Sequence, residues 1–112
     1  MAETLSEAQF QAQVIEVAHR LGYRIAHFRP AMNAKGQWRT PVAADGKGFP
    51  DLVMVRADTP RWAPRVIFAE LKTDKGRLTA DQAAWLDALS SAGEETYLWR
   101  PRDWDEIVAT LR

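Results

Sequence analysis

Two apolar runs separated by a proline-containing loop constrain the fold of this chain more than any other feature. The runs Leu52–Arg56 and Arg65–Leu71 are rich in β-branched and aliphatic residues, and the eight residues between them include Pro60 and Pro64. Proline cannot donate a hydrogen bond within a central strand, so the pattern favours two strands joined by a loop. The sequence therefore predicts an antiparallel β-hairpin.

The register of this hairpin decides which side chains meet at its open end. In an antiparallel pair the numbers of opposed residues add to a constant, and a turn near Pro60 and Arg61 makes that sum about 121. Asp51 then lies opposite Glu70. Lys72 shares a face with Glu70, because side chains alternate along a strand. We expect two carboxylates and an amine to converge there.

Two carboxylates beside an amine suit a divalent metal ion and a phosphate. Mg²⁺ takes a few carboxylate oxygens together with water and phosphate oxygens, and Mn²⁺ suits a similar oxygen set. Asp51, Glu70 and the carbonyl of Leu71 are the predicted metal ligands. Lys72 is the predicted group that orients the attacking water or neutralises charge on the scissile phosphate.

An ordinary structural interpretation of these residues stays open. Asp51 follows Pro50 and suits a turn, while Glu70 and Lys72 form a Glu-x-Lys pair of a kind common on exposed strands. However, residues 66–69 are apolar on both faces, as in a buried strand. A charged residue at the end of such a strand needs a compensating interaction.

Five segments that span nearly the whole chain occur in an order typical of one known family. They are G-F-P-D-L at 48–52, F-A-E-L-K at 68–72, G-R-L-T-A-D-Q-A-A-W-L at 76–86, A-G-E-E-T-Y-L-W at 92–99 and S-E-A-Q-F-Q at 6–11. This set resembles the VRR-NUC branch of the PD-(D/E)xK nuclease superfamily. The resemblance implies a restriction-endonuclease-like fold and a metal-dependent DNA endonuclease.

Two capping boxes predict the helices that flank the strands. Ser6 with Gln9 begins a helix that ends near Gly22, and Thr79 with Gln82 begins a second helix. The remaining predicted elements are a strand at 23–29, a strand at 96–99 and a last helix from Asp103 whose apolar residues face inward. The predicted order is αβββαβα, an α/β fold with a mixed sheet flanked by helices.

Two polar residues on these helices have competing interpretations. Glu7 lies in the first turn of its helix, where an acid complements the helix dipole, whereas the resemblance makes it a further acidic residue near the metal. Gln82 occupies the third position of a capping box, which favours glutamine in any case. The resemblance instead points Gln82 at the active site, where it would steer Lys72 or a phosphate oxygen.

A long segment of irregular composition, residues 30–48, shows no apolar periodicity, and long loops in compact domains are commonly functional. Basic and aromatic side chains there suit contacts with phosphates and stacking on a splayed base. An insertion with Trp38 packed on the core is the alternative. Two further basic residues lie in the turn that follows the hairpin. The predicted nucleic-acid-binding residues are therefore Lys35, Trp38, Arg39, Lys47, Lys75 and Arg77.

Charge and composition exclude several classes of protein. The net charge is zero, yet residues 20–77 carry 12 Lys and Arg against 5 Asp and Glu, which suits a polyanionic substrate. The absence of cysteine excludes disulfides and a thiolate zinc site. No apolar run approaches the roughly 20 residues of a membrane span, and no signal pattern is present, so we expect a cytoplasmic protein of one domain, residues 1–112.

The expected partner is DNA, and the expected assembly is a homodimer. Two sites on a branched substrate, as in Holliday junction resolvases, would allow both strands to be cut, and the apolar residues of the last helix are the candidate interface. A flap is a related substrate. The competing class is a non-catalytic nucleic-acid-binding or assembly module that keeps the nuclease fold. The presence of Asp51, Glu70 and Lys72 argues against that class.

Overall fold

The computed structural model describes residues 5–28, 31–32, 34–39 and 43–112 of the chain. In these ranges one helix precedes five strands, and a second helix, a sixth strand and a third helix follow. The elements are α1 (Glu7–Arg20), β1 (Arg24–His27), β2 (Ala31–Met32), β3 (Trp38–Arg39), β4 (Leu52–Arg56), β5 (Arg65–Leu71), α2 (Ala80–Ser91), β6 (Glu95–Trp99), a 3₁₀ turn (Pro101–Asp103) and α3 (Trp104–Leu111).

Four of the strands form one mixed sheet in the order β1-β4-β5-β6. β4 pairs antiparallel with both β1 and β5, whereas β5 and β6 are parallel. A parallel pair needs a crossover connection, and α2 supplies it. The predicted α/β class, a restriction-endonuclease-like sheet flanked by helices in the order αβββαβα, is therefore confirmed.

The predicted hairpin register is also confirmed. Leu52 pairs with Ala69 and Arg56 pairs with Arg65, so each pair adds to the expected sum. Both strands have the bounds that the two apolar runs predict. The capping boxes at Ser6 and Thr79 are present, with hydrogen bonds in both directions.

The core lies on one face of the sheet, between the sheet and helices α1 and α3. Alternate residues of β4 and β5 point into it, as the strand period requires. Its fully buried members include Phe10, Val14, Ala18, Leu52, Met54, Ile67, Ala69, Leu71, Ile107 and Leu111. Ile107 and Leu111 are fully buried in this core. The expectation that the apolar residues of the last helix form a dimer interface is therefore wrong for these two residues.

A buried arginine closes the end of the hairpin remote from Glu70. Arg56 is 5% exposed, and its Nη1 donates to the carbonyls of Leu21 (3.1 Å) and Leu111 (3.0 Å). Its guanidinium lies 4.5 Å from the ring centroid of Tyr23 and 4.4 Å from that of Trp62. Helix carboxyl ends and aromatic faces both attract a cation. These contacts compensate most of the charge, although Nε of Arg56 has no hydrogen-bond partner among the described residues.

The structure departs from the sequence expectations in two places. Residues 30–48, expected to be irregular, contain the short antiparallel pair β2–β3. Strands of two residues are too short to display alternation, so no pattern marked them. The first strand spans only Arg24–His27, so the predicted strand at 23–29 is too long: Tyr23 and Phe28 lie outside the strand, and Arg29 lies outside the described residues.

The tryptophans differ in burial. Trp99 is a core residue and Trp104 packs against the core. Trp85 lies outside that cluster and packs edge-on against Phe49, with ring centroids 5.0 Å apart. It helps instead to join α2 to the loop before β4. No helix within the described ranges is long and apolar enough to cross a membrane.

Candidate active site

The open end of the β4–β5 hairpin brings Asp51 and Glu70 together. Asp51 immediately precedes β4, and its Oδ2 accepts a hydrogen bond from the backbone N–H of Leu71 at 3.0 Å. The register continues from Leu52 and Ala69 to set Asp51 opposite Glu70. The predicted convergence of the two carboxylates is therefore present in the fold.

Glu70 is a buried acid that the protein satisfies only in part. Its side chain is 1% exposed, and its Oε1 accepts a hydrogen bond from Nε2 of Gln82 at 3.2 Å. Its Oε2 is buried and has no hydrogen-bond partner in the described part of the chain. Burial and the negative charge of Asp51 raise the pKa of Glu70 to about 9, against the opposing charge of Lys72.

This arrangement fits a divalent metal ion. An ionised carboxylate can only accept hydrogen bonds, so the oxygen of Glu70 that has no partner among the described residues, in an acid on which the charge of Asp51 acts, calls for a proton or a cation. Across residues 5–28, 31–32, 34–39 and 43–112, no group of three or more His, Cys, Asp or Glu side chains is close enough to form a full cage. Mg²⁺ and Mn²⁺ suit a pair of carboxylates completed by a carbonyl, water and phosphate.

Glu7 and Lys72 lie around this pair. The pKa of Glu7 is raised by partial burial and by the charge of Asp51, and is lowered by Lys72. The first turn of α1 therefore brings Glu7 within electrostatic reach of the site. Lys72 directly follows β5, and its backbone N–H donates to the carbonyl of Trp99 at 3.0 Å. Its positive charge acts on both Glu7 and Glu70.

Gln82 caps α2 and also reaches the predicted site, where it contacts Glu70 rather than Lys72. Its Oε1 accepts from the backbone N–H of Thr79 at 2.9 Å and so caps α2. Its Nε2 donates to Glu70 at the same time. The two ends of one amide thus join the helix start to the buried acid.

The predicted nucleic-acid-binding residues are spread over three segments. Lys47 is exposed beside the first turn of α2, where its amine lies 3.5 Å from a carboxylate oxygen of Asp81. Lys75 and Arg77 are exposed in the turn after β5, and Lys35 is exposed between β2 and β3. The side chains of Trp38 and Arg39 lie outside the described part of the structure.

A residue that sequence reasoning missed, Arg100, holds the turn that carries Lys75. Its Nη1 donates to the carbonyls of Thr73 and Gly76, both at 2.6 Å. The sequence offers one signal for Arg100, which is that it directly follows the last predicted strand. Because β5 and β6 are parallel, the end of β6 lies beside the end of β5, where Lys72 follows. The contact itself spans at least 24 residues and leaves no local pattern.

A mixed four-stranded sheet flanked by helices, with two carboxylates and a lysine at one end, defines a domain of the restriction-endonuclease-like class. The chain matches the family model of the VRR-NUC domain over residues 2–102. It belongs to the VRR-NUC family, and membership implies a nuclease-type function and interaction with DNA. No curated protein and no solved structure matches the chain significantly.

Proposed function

We propose that the protein is a Mg²⁺- or Mn²⁺-dependent endodeoxyribonuclease that hydrolyses phosphodiester bonds. The observation that carries the proposal is the buried Oε2 of Glu70, which has no hydrogen-bond partner in the described part of the chain although the charge of Asp51 acts on the same side chain. Asp51, Glu70 and the carbonyl of Leu71 would hold the ion, which when bound supplies an acidified water and neutralises phosphate charge. The family to which the chain belongs supports the same reaction class.

The side chains around the pair have separate tasks in this proposal. Lys72 orients the attacking water or stabilises charge on the scissile phosphate. Gln82 fixes Oε1 of Glu70, which keeps Oε2 available towards Asp51. Glu7 is an outer acid that lies within reach of Asp51 without being part of the pair.

The proposed substrate is DNA, with branched or junction DNA favoured over linear duplex. Lys47, shortly before Asp51, and Lys75 and Arg77, shortly after Lys72, are exposed and suit a phosphate backbone. One site cuts one strand, so a two-fold homodimer would allow paired cuts on a four-way junction or a flap. Light scattering at micromolar protein, with and without DNA, tests the dimer, and a monomer under both conditions would contradict it.

The decisive assay compares the unaltered protein with Glu70→Gln on linear, flapped, single-stranded and four-way-junction DNA. We expect the unaltered protein to cleave in Mg²⁺ or Mn²⁺ but not in EDTA. The variant should bind DNA and fail to cleave, because it keeps the shape of Glu70 and removes its charge. Binding without cleavage by the unaltered protein would instead support the non-catalytic binding module.

A further inference from the structure

Gly48 occupies a position in which no other residue fits without a rearrangement. Its φ is +84°, a region that residues with a side chain rarely adopt. A Cβ at Gly48 would lie 2.6 Å from the carbonyl carbon of Asp81 and 2.7 Å from the backbone nitrogen of Gln82. Real Cβ atoms essentially never approach other atoms within 3.0 Å. The missing side chain thus permits direct contact with the backbone of α2.

The atoms that Gly48 approaches belong to the first turn of α2. Other contacts fasten the same loop to the same helix. Nε1 of Trp85 donates to the carbonyl of Asp45 at 3.0 Å, and the ring of Phe49 packs edge-on against Trp85. The loop that leads into Asp51 is therefore docked on the helix that carries Gln82.

The docked loop and helix are each connected to one of the two carboxylates. From Gly48 the chain runs three residues to Asp51, whose Oδ2 accepts from the N–H of Leu71 in β5. From the helix, Gln82 reaches back to Glu70 in the same strand. The approach of the loop to the helix thus sets the position of Gln82 relative to both acids.

We propose that Gly48 is a positioning residue of the site, which acts through Gln82 to set the geometry of Asp51 and Glu70. The proposal rests on the nuclease function proposed above. A side chain at position 48 would push the first turn of α2 away and withdraw the amide of Gln82 from Glu70. A displacement of about 1 Å at a catalytic site can cost about 100-fold in rate.

The test compares Gly48→Ala with Gly93→Ala. Gly93 lies just beyond the other end of α2 and also has a positive φ, +91°, but a Cβ there would meet nothing within 4 Å. Both variants bear the backbone strain, and only Gly48→Ala bears the collision. We expect Gly93→Ala to keep its Mn²⁺ affinity and turnover. Gly48→Ala should bind Mn²⁺ at least about 10-fold more weakly by calorimetry and cleave about 100-fold more slowly.

A double-mutant cycle with Gln82→Ala separates positioning from general damage. If Gly48 acts through Gln82, the Gly48→Ala change should have little further effect on Mn²⁺ affinity once Gln82 is alanine. Fully additive effects, or equal behaviour of Gly48→Ala and Gly93→Ala, would overturn the proposal. Should Gly48→Ala fail to fold by circular dichroism, Trp85→Phe takes its place. That change removes the hydrogen bond to Asp45 without a collision, and its effect should also vanish in the Gln82→Ala background.

The outcomes distinguish this inference from the function on which it rests. If the unaltered protein binds Mn²⁺ but cleaves no DNA, the proposed function fails, while the calorimetric cycle still decides the role of Gly48. If the unaltered protein cleaves and Gly48→Ala matches it, only the role of Gly48 fails. If the unaltered protein neither cleaves nor binds Mn²⁺, both are overturned.

Discussion

The two ends of the β4–β5 hairpin each bury a charged side chain, and the protein treats the two charges differently. Arg56 is buried between two aromatic rings and donates to carbonyls at the ends of two helices. Glu70 receives one hydrogen bond from Gln82 and lies opposite another acid, with one oxygen left unpartnered in the described structure. Burial alone therefore does not mark a site. Each side chain has one buried atom without a hydrogen-bond partner among the described residues, Nε of Arg56 and Oε2 of Glu70. The difference lies in the neighbours, since Arg56 lies against aromatic faces and carbonyls whereas Glu70 lies beside a second acid.

The largest effect should come from Lys72→Ala, which tests whether the Glu70 end is the catalytic end. Loss of a group that stabilises transition-state charge costs about 3–4 kcal/mol, or about 100- to 1000-fold in turnover. DNA affinity should change little, because one charge contributes one counterion's share. Single-turnover cleavage is the measurement. The control is Arg20→Ala, which removes an exposed cation of a surface ion pair, and normal cleavage by Lys72→Ala would refute the assigned role.

At the opposite end, Arg56→Ala should act on stability rather than on chemistry. It leaves the carbonyls of Leu21 and Leu111 without their donor and removes the cation between the two rings. We expect a loss of about 2–4 kcal/mol in the free energy of unfolding by urea titration. The folded fraction should retain its turnover per molecule. A stable variant with impaired turnover would mean that the two ends are less distinct than the contacts indicate.

The metal-free protein should lose stability as the pH rises, because the pKa of Glu70 is raised from 4.5 to about 9 on folding. The stabilising contribution of the protonated form is complete below the unfolded pKa and is lost as pH passes through the folded one. Thermal unfolding of metal-free protein between pH 5 and 9 measures this, and Glu70→Gln should flatten the dependence. At pH 8 the free energy of unfolding of the variant should exceed that of the unaltered protein by at least about 1 kcal/mol. A parent with no decline over this range would contradict the burial of an uncompensated acid.

The smallest effect on chemistry should follow removal of the exposed cations Lys47, Lys75 and Arg77 together. Each lost phosphate contact should reduce the slope of log affinity against log salt by up to about 0.9. Turnover at saturating DNA should persist, unlike that of Lys72→Ala. A salt titration of binding beside single-turnover cleavage gives both quantities. Unchanged affinity would place the DNA on another surface.

The comparison also shows which parts of the molecule can be predicted from sequence. The bounds of β4 and β5, their register and both capping boxes follow from local patterns, and with them the approach of Asp51 to Glu70. Three other features do not follow from local patterns. They are the contacts around Arg56, the hydrogen bond from Arg100 to Gly76 and the close approach of Gly48 to α2. Each of these depends on backbone atoms that are distant in sequence, and a pattern of side chains does not encode where such atoms meet.

The shared amide of Gln82 has a consequence for how this site can be lost. A capping box accepts glutamate as readily as glutamine, so the helix would tolerate that exchange. The proposed site would not tolerate it, because a glutamate at position 82 would replace the N–H that donates to Glu70 with a third negative charge. A VRR-NUC chain with glutamate at this position would keep a well-formed second helix and a disabled centre.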